Sequence, residues 1–327
     1  MSHPEVKSKW FADFKKQLPR VDGKVFAVTG TTSGTGYVAA RTAAQYGGTV
    51  LLLNRPSERS TKSLASLKEA APSGTFEQID CDLQDLESVR KAAEVVSSKY
   101  PELYCLSNNA GIAAHEDKAT KDGYDVQMQT NHLSHFLLTS LLLPSLGRGA
   151  ERHGEARIVN HSSDARKMVK KLEARYFEKR GGDLGGNGSG LSSPNFQRYS
   201  QTKLANAVFT QALHEKLAAK QSKVKVLACH PGASSTPIID GLPLQKESWF
   251  LSLFKYFLQS AEDGSMGLIR CMMGEGVKSG VLWGPSGWIH GMYGPAVSIR
   301  TRPVEKDPEM MNMLWGKSEE ACGPFGV

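Results

Sequence analysis

Short apolar runs alternate with amphipathic stretches along most of the chain, and the two differ in hydrophobic period. Residues 24–29 form a run rich in β-branched side chains that stops at a glycine turn. Residues 36–46 follow with apolar positions at helical spacing, and residues 49–53 supply a second buried run. This order predicts strand, tight turn, helix and strand, a βαβ unit of about 30 residues.

The alternation continues as far as residue 229. We predict further helices over residues 61–71, 86–100, 125–143 and 199–220, and further strands at 76–79, 156–160, 224–229 and in a run ending at Asn108. Strands that alternate with helices of this length indicate a parallel sheet with helices on both faces. The expected fold class is therefore α/β, a doubly wound parallel sheet of the Rossmann type, in one domain over residues 24–327.

Three segments depart from this rhythm. Residues 1–23 interleave lysines with aromatic side chains, which predicts an amphipathic segment packed on the domain surface, with peripheral membrane contact as the alternative. Residues 164–198 include a glycine-rich stretch and are interpreted as an insertion at the carboxyl edge of the sheet. Residues 280–327 are rich in glycine and proline, and we expect this C-terminal extension to wrap the surface.

Composition limits the kind of ligand that the protein can bind and the cellular compartment in which it can reside. The net charge of +7 suits an anionic ligand such as a nucleotide cofactor, but it is too dispersed to indicate nucleic-acid binding. No stretch approaches the ~20 apolar residues that a membrane-spanning helix needs. The five cysteines stand singly, which argues against a zinc site or a disulfide framework. We therefore expect a reducing, cytoplasmic location.

Three glycines stand between the first predicted strand and its helix. Without side chains, they let the backbone turn tightly and approach a pyrophosphate, whose charge then lies against the amides that open the helix. The pattern predicts a dinucleotide site. Its expected contacts are Gly30, Thr32, Ser33, Gly34, Thr35 and Gly36.

The second predicted strand ends in Asn54 and Arg55, with Arg59 nearby. An acidic residue at this point would accept the ribose hydroxyls of NAD, whereas an arginine pairs with a 2′-phosphate. NADP(H) is therefore the predicted cofactor. The alternative is that Arg55 is simply a solvated surface residue.

Three later motifs complete a pattern that resembles a known family. They are residues 108–111 (Asn-Asn-Ala-Gly), residues 231–236 (Pro-Gly-Ala-Ser-Ser-Thr) and a tyrosine four residues before a lysine, at Tyr199 and Lys203. From about residue 24 to 276 the chain resembles the short-chain dehydrogenase/reductases, and is most similar to the retinol-dehydrogenase-like carbonyl reductases. The resemblance implies further cofactor contacts at Asp82, Leu83, Asn109, Ala110, Gly111, Pro231, Gly232 and Thr236.

The same resemblance implies a catalytic set of Asn131, Ser163, Tyr199 and Lys203. Ser163 would hydrogen-bond the substrate oxygen and Tyr199 would transfer its proton. Lys203 would bind the nicotinamide ribose, and Asn131 would position a water that links Lys203 to solvent. A phenol has a pKa near ~10. A cation four residues along the same helix face is expected to lower that value.

Two choices stay open at this point. Ser162 competes with Ser163, because both lie where the strand ends and strand neighbours point to opposite faces; the family position favours Ser163. His132 and His135 stand three apart on a predicted helix and could suggest a metal, but no third ligand of suitable spacing accompanies them. Helix packing beside Asn131 is the favoured interpretation.

The sequence limits the substrate only to a broad class. Residues 166–180 carry seven basic and two acidic side chains, which suits an anionic substrate, a lipid surface or a solvated helix face. Residues 249–258 are aromatic-rich and fit a lid over an apolar substrate, ordinary core or a subunit contact.

The expected function is hydride transfer between NADP(H) and an apolar carbonyl or alcohol that is retinoid-, steroid- or lipid-like. The alternative is a non-catalytic NADP-sensing or interaction protein of the same fold. The resemblance also leaves open a homodimer formed through the two long helices that contain Asn131 and Tyr199.

Overall fold

One eight-stranded sheet forms the centre of the computed structural model, which describes residues 6–233, 259–287 and 292–327. The strands are β1 (Val25–Thr29), β2 (Thr49–Asn54), β3 (Thr75–Asp80), β4 (Cys105–Asn108), β5 (Ala156–His161), β6 (Val224–Cys229), β7 (Leu282–Pro285) and β8 (Ala296–Ile299). Their order across the sheet is β3-β2-β1-β4-β5-β6-β7-β8. All neighbours pair in parallel except β7 and β8, which are antiparallel. The predicted doubly wound parallel sheet is confirmed.

Helices cover both faces of this sheet. They are α1 (Phe11–Lys15), α2 (Gly34–Gln45), α3 (Glu58–Ala70), α4 (Leu86–Lys99), α5 (Val126–Met128), α6 (Ser134–His153), α7 (Pro194–Ala219), α8 (Ala261–Met273) and α9 (Pro308–Cys322). A π-turn joins α5 to α6, and short 3₁₀ turns lie at Asp164–Met168, Ala174–Phe177 and Pro303–Lys306.

Alternation of side chains along the strands divides the core in two. Ala27 and Leu51 face a core built with α4, α6, α7 and α9, while Phe26 and Val50 face one built with α1, α2, α3 and α8. Successive strand residues point to opposite faces of a sheet, so a strand covered on both sides is apolar throughout. The continuous apolar runs of the sequence follow from this burial.

Two helix boundaries differ most from their predictions. The helix expected to end at residue 143 continues through Pro144 to His153, although proline removes one main-chain donor from a helix interior. The helix expected from residue 199 begins at Pro194, where Ser193 caps it by accepting from the Phe196 amide at 3.3 Å. Tyr199 thus lies in the second turn of α7 and not at its start.

The C-terminal extension differs most from its prediction. It does not merely wrap the surface, because β7 and β8 extend the sheet and α9 packs on the two long helices. Trp315 and Phe325 contact Phe136 and Phe209, with ring centroids between 4.9 and 6.3 Å apart. This aromatic cluster covers part of the surface of the two long helices, through which the sequence left a homodimer open. The homodimer itself stays an untested prediction.

The N-terminal segment is fixed to α8 by one carboxylate. Asp263 is buried in the first turn of α8 and accepts from the Ser8 hydroxyl and from the amides of Lys9, Trp10 and Phe11, at 2.8–3.0 Å. The phenyl ring of Phe11 enters the core beside α2. Residues 6–23 therefore pack on the domain, and five of these described residues are helical.

None of the helices in the described ranges is long and apolar enough to cross a lipid bilayer. All five cysteines are buried and unpaired.

Candidate active site

The glycine turn between β1 and α2 forms a cradle of bare backbone. Gly30 has a φ of +71°, a backbone conformation that residues other than glycine rarely adopt. A Cβ on this residue would also lie 2.8 Å from Ala110. A Cβ on Gly36 would overlap the Gly30 carbonyl oxygen and the Asn109 amide. No side chain caps the start of α2 at Ser33. Free amides at a helix start and space that only glycine leaves fit a pyrophosphate.

Asn109 ties this turn to the neighbouring strands. Its Nδ2 donates to the carbonyls of Thr29 and Gly30, at 2.9 and 3.2 Å, so its Oδ1 must accept. That oxygen accepts from Thr35 Oγ1 at 3.1 Å and lies 2.9 Å from His161 Nδ1. His161 therefore carries its proton on Nδ1. The sequence analysis did not single out His161, which lies two residues before Ser163.

The residues after β2 fall into two groups. Asn54 is buried and holds the turn by bonding Thr31, whose amide donates to Asn54 Oδ1 at 2.9 Å and whose hydroxyl accepts from Nδ2 at 2.7 Å. Arg55 is exposed. Arg59, at the start of α3, donates to Ser33 Oγ at 2.5 Å. The Arg59 guanidinium thus lies beside the glycine turn, and Arg55 is exposed directly after β2.

The further cofactor contacts predicted at residues 82, 83, 110 and 111 follow the ends of β3 and β4. Asp82 is half-buried and accepts from the Gln84 amide, while Leu83 is a core side chain whose carbonyl accepts from Ser134. Ala110 packs on Gly30. Gly111 borders the catalytic candidates, since a Cβ there would lie 3.2 Å from both Lys203 Nζ and Asn131 Oδ1.

Asn131 lies in the π-turn, Gln129–Leu133. Such widened turns inside helices are frequent at functional sites. Its side chain bonds both main-chain groups of Ile112, at 2.8 and 2.9 Å, and donates to Thr202 Oγ1 at 2.9 Å. Its carbonyl oxygen lies 3.1 Å from both Asn206 Nδ2 and His135 Nδ1. A water held by Asn131 would have to share one of these acceptors, and the water role stays a proposal.

The two serines after β5 point in different directions. Ser162 is buried and donates to the main-chain carbonyl of Lys203 at 2.7 Å, so its hydroxyl fastens α7 to the sheet. Ser163 is half-buried, and its hydroxyl interacts with the phenol of Tyr199. The geometry therefore places Ser163 beside the tyrosine and turns Ser162 away from it.

Lys203 and Tyr199 are both buried on one face of α7. The Lys203 Nζ donates to the His161 carbonyl at 3.1 Å and lies 5.6 Å from the centroid of the Tyr199 ring. Burial lowers the pKa of Lys203 to about 8, because an ammonium loses its hydration there.

Burial also decides the protonation of the tyrosine. It raises the pKa of Tyr199 to about 12, against a smaller lowering by the hydrogen bond with Ser163. The expectation that the neighbouring ammonium lowers the phenol pKa is therefore wrong for this structure. Desolvation of the phenolate sets the direction of the shift, and the Lys203 ammonium is itself directed at the His161 carbonyl.

The insertion after Ser163 is held by buried ions. Arg198 is fully buried beside Tyr199, with Nε 3.2 Å from Asp125 Oδ2, and it donates to the Gly186 and His115 carbonyls. Asp117 accepts from three amides of the glycine-rich stretch, those of residues 182, 184 and 186. These contacts fix the glycine-rich stretch next to the proposed catalytic tyrosine.

The basic segment at 166–180 is largely neutralised. Arg166 is fully buried and pairs with Glu305 at 2.9 Å and with Asp164 at 2.8 Å, which the sequence pattern did not indicate. Lys167 pairs with Asp164, Arg175 with Glu173 and Arg180 with Asp183. Only part of the predicted positive charge therefore remains to attract an anion.

The two histidines beside Asn131 act in packing and hydrogen bonding. His132 contacts Asn206 and Ser318, and His135 contacts Thr29 and the Asn131 carbonyl. In the described residues, no group of three or more histidine, cysteine or acidic side chains could hold a metal ion. The packing interpretation thus agrees with the structure.

The structure describes only part of the loop after β6, which holds the predicted cofactor contacts at residues 231, 232 and 236. Pro231 and Gly232 follow β6, and the Pro231 carbonyl accepts from Gln259 at 2.5 Å. Thr236 and the aromatic segment 249–258 lie outside the described residues. Asn206, three residues after Lys203, was missed by the sequence analysis; its only sequence signal is its place on the same face of α7.

Comparison with known proteins agrees with this geometry. Residues 24–177 match the profile of the short chain dehydrogenase family. An uncharacterized oxidoreductase of Schizosaccharomyces pombe is 36% identical over 76% of this chain and 72% of its own length. Human retinol dehydrogenase 11 is 30% identical over 85% and 81% of the two chains. Human polyprenol dehydrogenase is 33% identical over 94% and 88%.

Solved structures share the fold. An uncharacterized protein of Mycobacterium paratuberculosis has a TM-score of 0.74 and 30% identity, covering 96% of this chain and 98% of its own. A 3-ketoacyl-(acyl-carrier-protein) reductase of Brucella melitensis, complexed with NADH, has a TM-score of 0.59 and 22% identity over 80% and 96%. A short chain dehydrogenase of Escherichia coli, complexed with NADPH, has a TM-score of 0.59 and 21% identity over 80% and 96%.

The buried lysine predicts a pH-dependent gain in stability when it is removed. Below pH 8 the folded chain keeps a buried ammonium that the unfolded chain exposes to water; this cost disappears as the pH rises from 8 to 10.5, the ordinary lysine pKa. Lys203→Met should therefore raise the free energy of unfolding at pH 7 by about 1–3 kcal/mol, at ~1.4 kcal/mol per pKa unit.

Chemical denaturation of the cofactor-free protein at several pH values checks this prediction. The gain should shrink above pH 8, and the exposed Lys62→Met on α3 should show neither effect. A loss of stability in Lys203→Met at pH 7 would contradict the assignment of a desolvated ammonium.

Proposed function

The chain belongs to the short-chain dehydrogenase family, and on that premise we propose that it is an NADP(H)-dependent oxidoreductase acting on an apolar carbonyl or alcohol. The observation that carries the proposal is the meeting of Ser163, Tyr199 and Lys203 beside the glycine turn. A general acid, a hydrogen-bond donor and a buried cation at one sheet edge suit proton transfer to a carbonyl oxygen.

NADP(H), when bound, supplies or accepts the hydride. The glycine turn would hold its pyrophosphate, and Lys203, with Nζ beside Gly111, would bind the nicotinamide ribose. In the reductive direction Ser163 donates a hydrogen bond to the carbonyl oxygen, and Tyr199 gives that oxygen its phenolic proton. The carbonyl carbon gains a hydride and the oxygen gains a proton, which yields the alcohol.

The raised pKa of Tyr199 favours the reductive direction at neutral pH. A phenol with a pKa of about 12 keeps its proton throughout the physiological range and is ready to donate. Alcohol oxidation needs the phenolate as base, and its population grows with pH. We therefore propose carbonyl reduction as the favoured direction near neutrality.

The choice of NADP(H) rests on the charge at the end of β2. Arg55 is exposed, and Arg59 lies within hydrogen-bond distance of Ser33 in the glycine turn. The β2 end carries Asn54 where NAD-preferring enzymes have an acid, and Asn54 is committed to Thr31. Two arginines, with an amide in place of the acid at the end of β2, suit a 2′-phosphate.

An apolar substrate is supported by the surroundings of Tyr199. Ala113, Ala165 and Phe196 form a small apolar cluster with the tyrosine, and the rings of Phe196 and Tyr199 lie 5.6 Å apart. Met168 and Leu191, on the insertion, are more than half exposed. Relatives whose names specify retinol and polyprenol add the same substrate class to the proposal.

Location and assembly belong to the proposal as well. Five buried, unpaired thiols support a reducing compartment such as the cytoplasm. Peripheral membrane contact and a homodimer remain predictions from the sequence. The homodimer would have to use surface other than that covered by Trp315 and Phe325.

Turnover tests the catalytic assignment. Tyr199→Phe and Ser163→Ala should each lower kcat for aldehyde or ketone reduction by about 10²–10⁴, the usual contribution of a positioned acid or donor. Ser162→Ala is the matched control and should keep most activity, since its hydroxyl bonds the Lys203 carbonyl. NADPH oxidation with a panel of aldehydes, ketones and retinoids measures all three variants.

The same assay separates the enzyme from a sensor. If the unmodified protein binds NADPH tightly but turns over no carbonyl of the panel, the catalytic proposal is wrong and the non-catalytic NADP-sensing function gains. If Ser162→Ala and Ser163→Ala lost kcat to the same extent, the assignment of Ser163 as the catalytic serine would be wrong.

Cofactor preference tests the arginines. Arg55→Ala and Arg59→Ala should each weaken NADPH binding about tenfold or more, because a hydrogen bond to a charged group is lost, and should change NADH binding little. Titration of the bound nucleotide's fluorescence measures both affinities. Lys68→Ala, an exposed cation farther along α3, should have no effect. Equal weakening for NADPH and NADH would remove the 2′-phosphate assignment.

A further inference from the structure

A series of buried hydrogen bonds connects the C-terminal helix to Lys203. Ser318 on α9 contacts His132, His132 contacts Asn206, and Asn206 donates to the His161 carbonyl on which Lys203 rests. We propose that Ser318, His132 and Asn206 are positioning residues that fix this carbonyl and thereby hold the Lys203 ammonium in place. The proposal rests on the proposed function, which makes Lys203 part of the catalytic site. We refer to these five residues as the lysine-support network.

Each link of the lysine-support network is within hydrogen-bond distance. The Ser318 hydroxyl lies 2.9 Å from His132 Nε2, and His132 Nδ1 lies 3.3 Å from Asn206 Oδ1. Asn206 Nδ2 donates to the His161 carbonyl at 3.0 Å, and Lys203 Nζ donates to the same oxygen at 3.1 Å. All five residues are buried, so water does not compete for these contacts.

The direction of every hydrogen bond can be derived. Asn206 Nδ2 donates to two main-chain carbonyls, those of Asn131 and His161, so Oδ1 of the same amide must accept. His132 therefore carries its proton on Nδ1, and its bare Nε2 accepts from the Ser318 hydroxyl. Burial lowers the pKa of His132 to about 3, which keeps this neutral form across the physiological range.

The His161 carbonyl is therefore the fixed point of the lysine-support network. Its two lone pairs accept from Asn206 and Lys203, one donor each. With both acceptor directions used, this oxygen has no freedom to follow another donor. Asn206 thus determines where the Lys203 ammonium can lie relative to the Tyr199 ring.

The other groups around Lys203 carry no charge that could replace this carbonyl. The phenol of Tyr199 and the thiol of Cys229 both have raised pKa values, and burial lowers the pKa of both His135 and His161. All four are neutral near pH 7. In the described residues, Lys203 has no ion pair, and a carbonyl dipole is the partner that the structure gives it.

Aromatic packing holds the middle of the lysine-support network. The His132 ring lies edge-on to Phe177 and Phe209, with centroids 5.6 and 5.7 Å away. Phe177 belongs to the insertion, Phe209 to α7 and Ser318 to the C-terminal extension. The insertion and the C-terminal extension therefore both support the position of the proposed catalytic lysine.

The test is a graded series of variants. Asn206→Leu removes the amide next to the carbonyl, His132→Phe keeps an aromatic ring without nitrogens, and Ser318→Ala removes the outermost hydroxyl. Ser318→Thr retains a hydroxyl and should therefore keep the Lys203 titration of the unmodified protein. Ser200→Ala is the control, because it removes a buried α7 hydroxyl that bonds the Phe196 carbonyl outside the network.

Two readouts are measured for each variant. The first is the pH dependence of kcat for carbonyl reduction. The second is an NMR titration of the Lys203 side chain in ¹⁵N-lysine-labelled protein, assigned by the signal missing from Lys203→Met. The NMR readout needs no turnover, so it tests the network even if the proposed function fails.

Weaker fixing of the carbonyl should stabilise the ammonium less. The Lys203 pKa and the basic limb of the pH profile should therefore move to lower pH, by about half to one unit in Asn206→Leu and progressively less in His132→Phe and Ser318→Ala. The kcat of Asn206→Leu at pH 7 should fall by up to about twofold, because a pKa lowered by about one unit reduces the charged fraction of Lys203 from about nine-tenths to about one-half. Ser318→Thr and Ser200→Ala should retain the unmodified titration.

The proposal would be overturned if all variants lost thermal stability yet kept the Lys203 titration and the pH profile of the unmodified protein. That outcome would leave Ser318, His132 and Asn206 with a purely structural role. A shift of the same size in Ser200→Ala would also overturn it, since any buried hydroxyl would then have the effect. Absence of turnover in the unmodified protein, with a graded Lys203 shift, would reject the proposed function and retain the network.

Discussion

An ammonium buried without a carboxylate partner is the constraint around which this site is organised. Lys203 has a single hydrogen-bond acceptor among the described residues, the His161 carbonyl at the end of β5. That geometry requires β5, the π-turn and α7 to meet closely, and buried asparagines bridge them. Asn131 joins the π-turn to α7 through Thr202, and Asn206 joins α7 to β5. The position of the Lys203 ammonium thus depends on carbonyl and amide dipoles that the fold keeps fixed.

Two buried arginines differ from Lys203 because they have acidic partners. Arg198 has Asp125 and Asp117 within ion-pair distance, and Arg166 has Glu305 and Asp164. A buried charge with a partner fixes segments of chain, as these two arginines fix the insertion and the C-terminal extension. A buried charge without such a partner has a pKa shifted toward its neutral form, and it lowers the stability of the folded protein. Such a cost is expected at a site that acts on a substrate.

Much of this arrangement could be predicted from the sequence, because it depends on local patterns. The glycine turn requires missing side chains at fixed spacing, and the four-residue interval puts Tyr199 and Lys203 on one helix face. The central strands β1 and β2 are continuous apolar runs, which burial on both faces of the sheet explains. By contrast, β7 and β8 are four residues each and contain no such run. Their pairing depends on contacts distant in sequence.

The remaining differences are also long-range effects. Arg166 looked like surface charge because its partner Glu305 lies 139 residues away. The direction of the Tyr199 pKa could not be obtained from spacing alone, since burial of the phenol raises this pKa and outweighs the lowering by the hydrogen bond with Ser163. Desolvation is a property of the packed molecule and leaves no sequence motif. The residues were therefore predictable, and their electrostatic state was not.

The protonation of Tyr199 tests the account most directly. The protein can be labelled with ¹³C at the tyrosine ζ carbon, and the Tyr199 resonance identified by its absence from Tyr199→Phe. A titration of the cofactor-free protein should leave this phenol protonated through neutral and mildly alkaline pH, in keeping with a pKa of about 12. Formation of the phenolate near pH 7 would contradict the account, because Lys203 would then outweigh burial in setting the proton that the site donates.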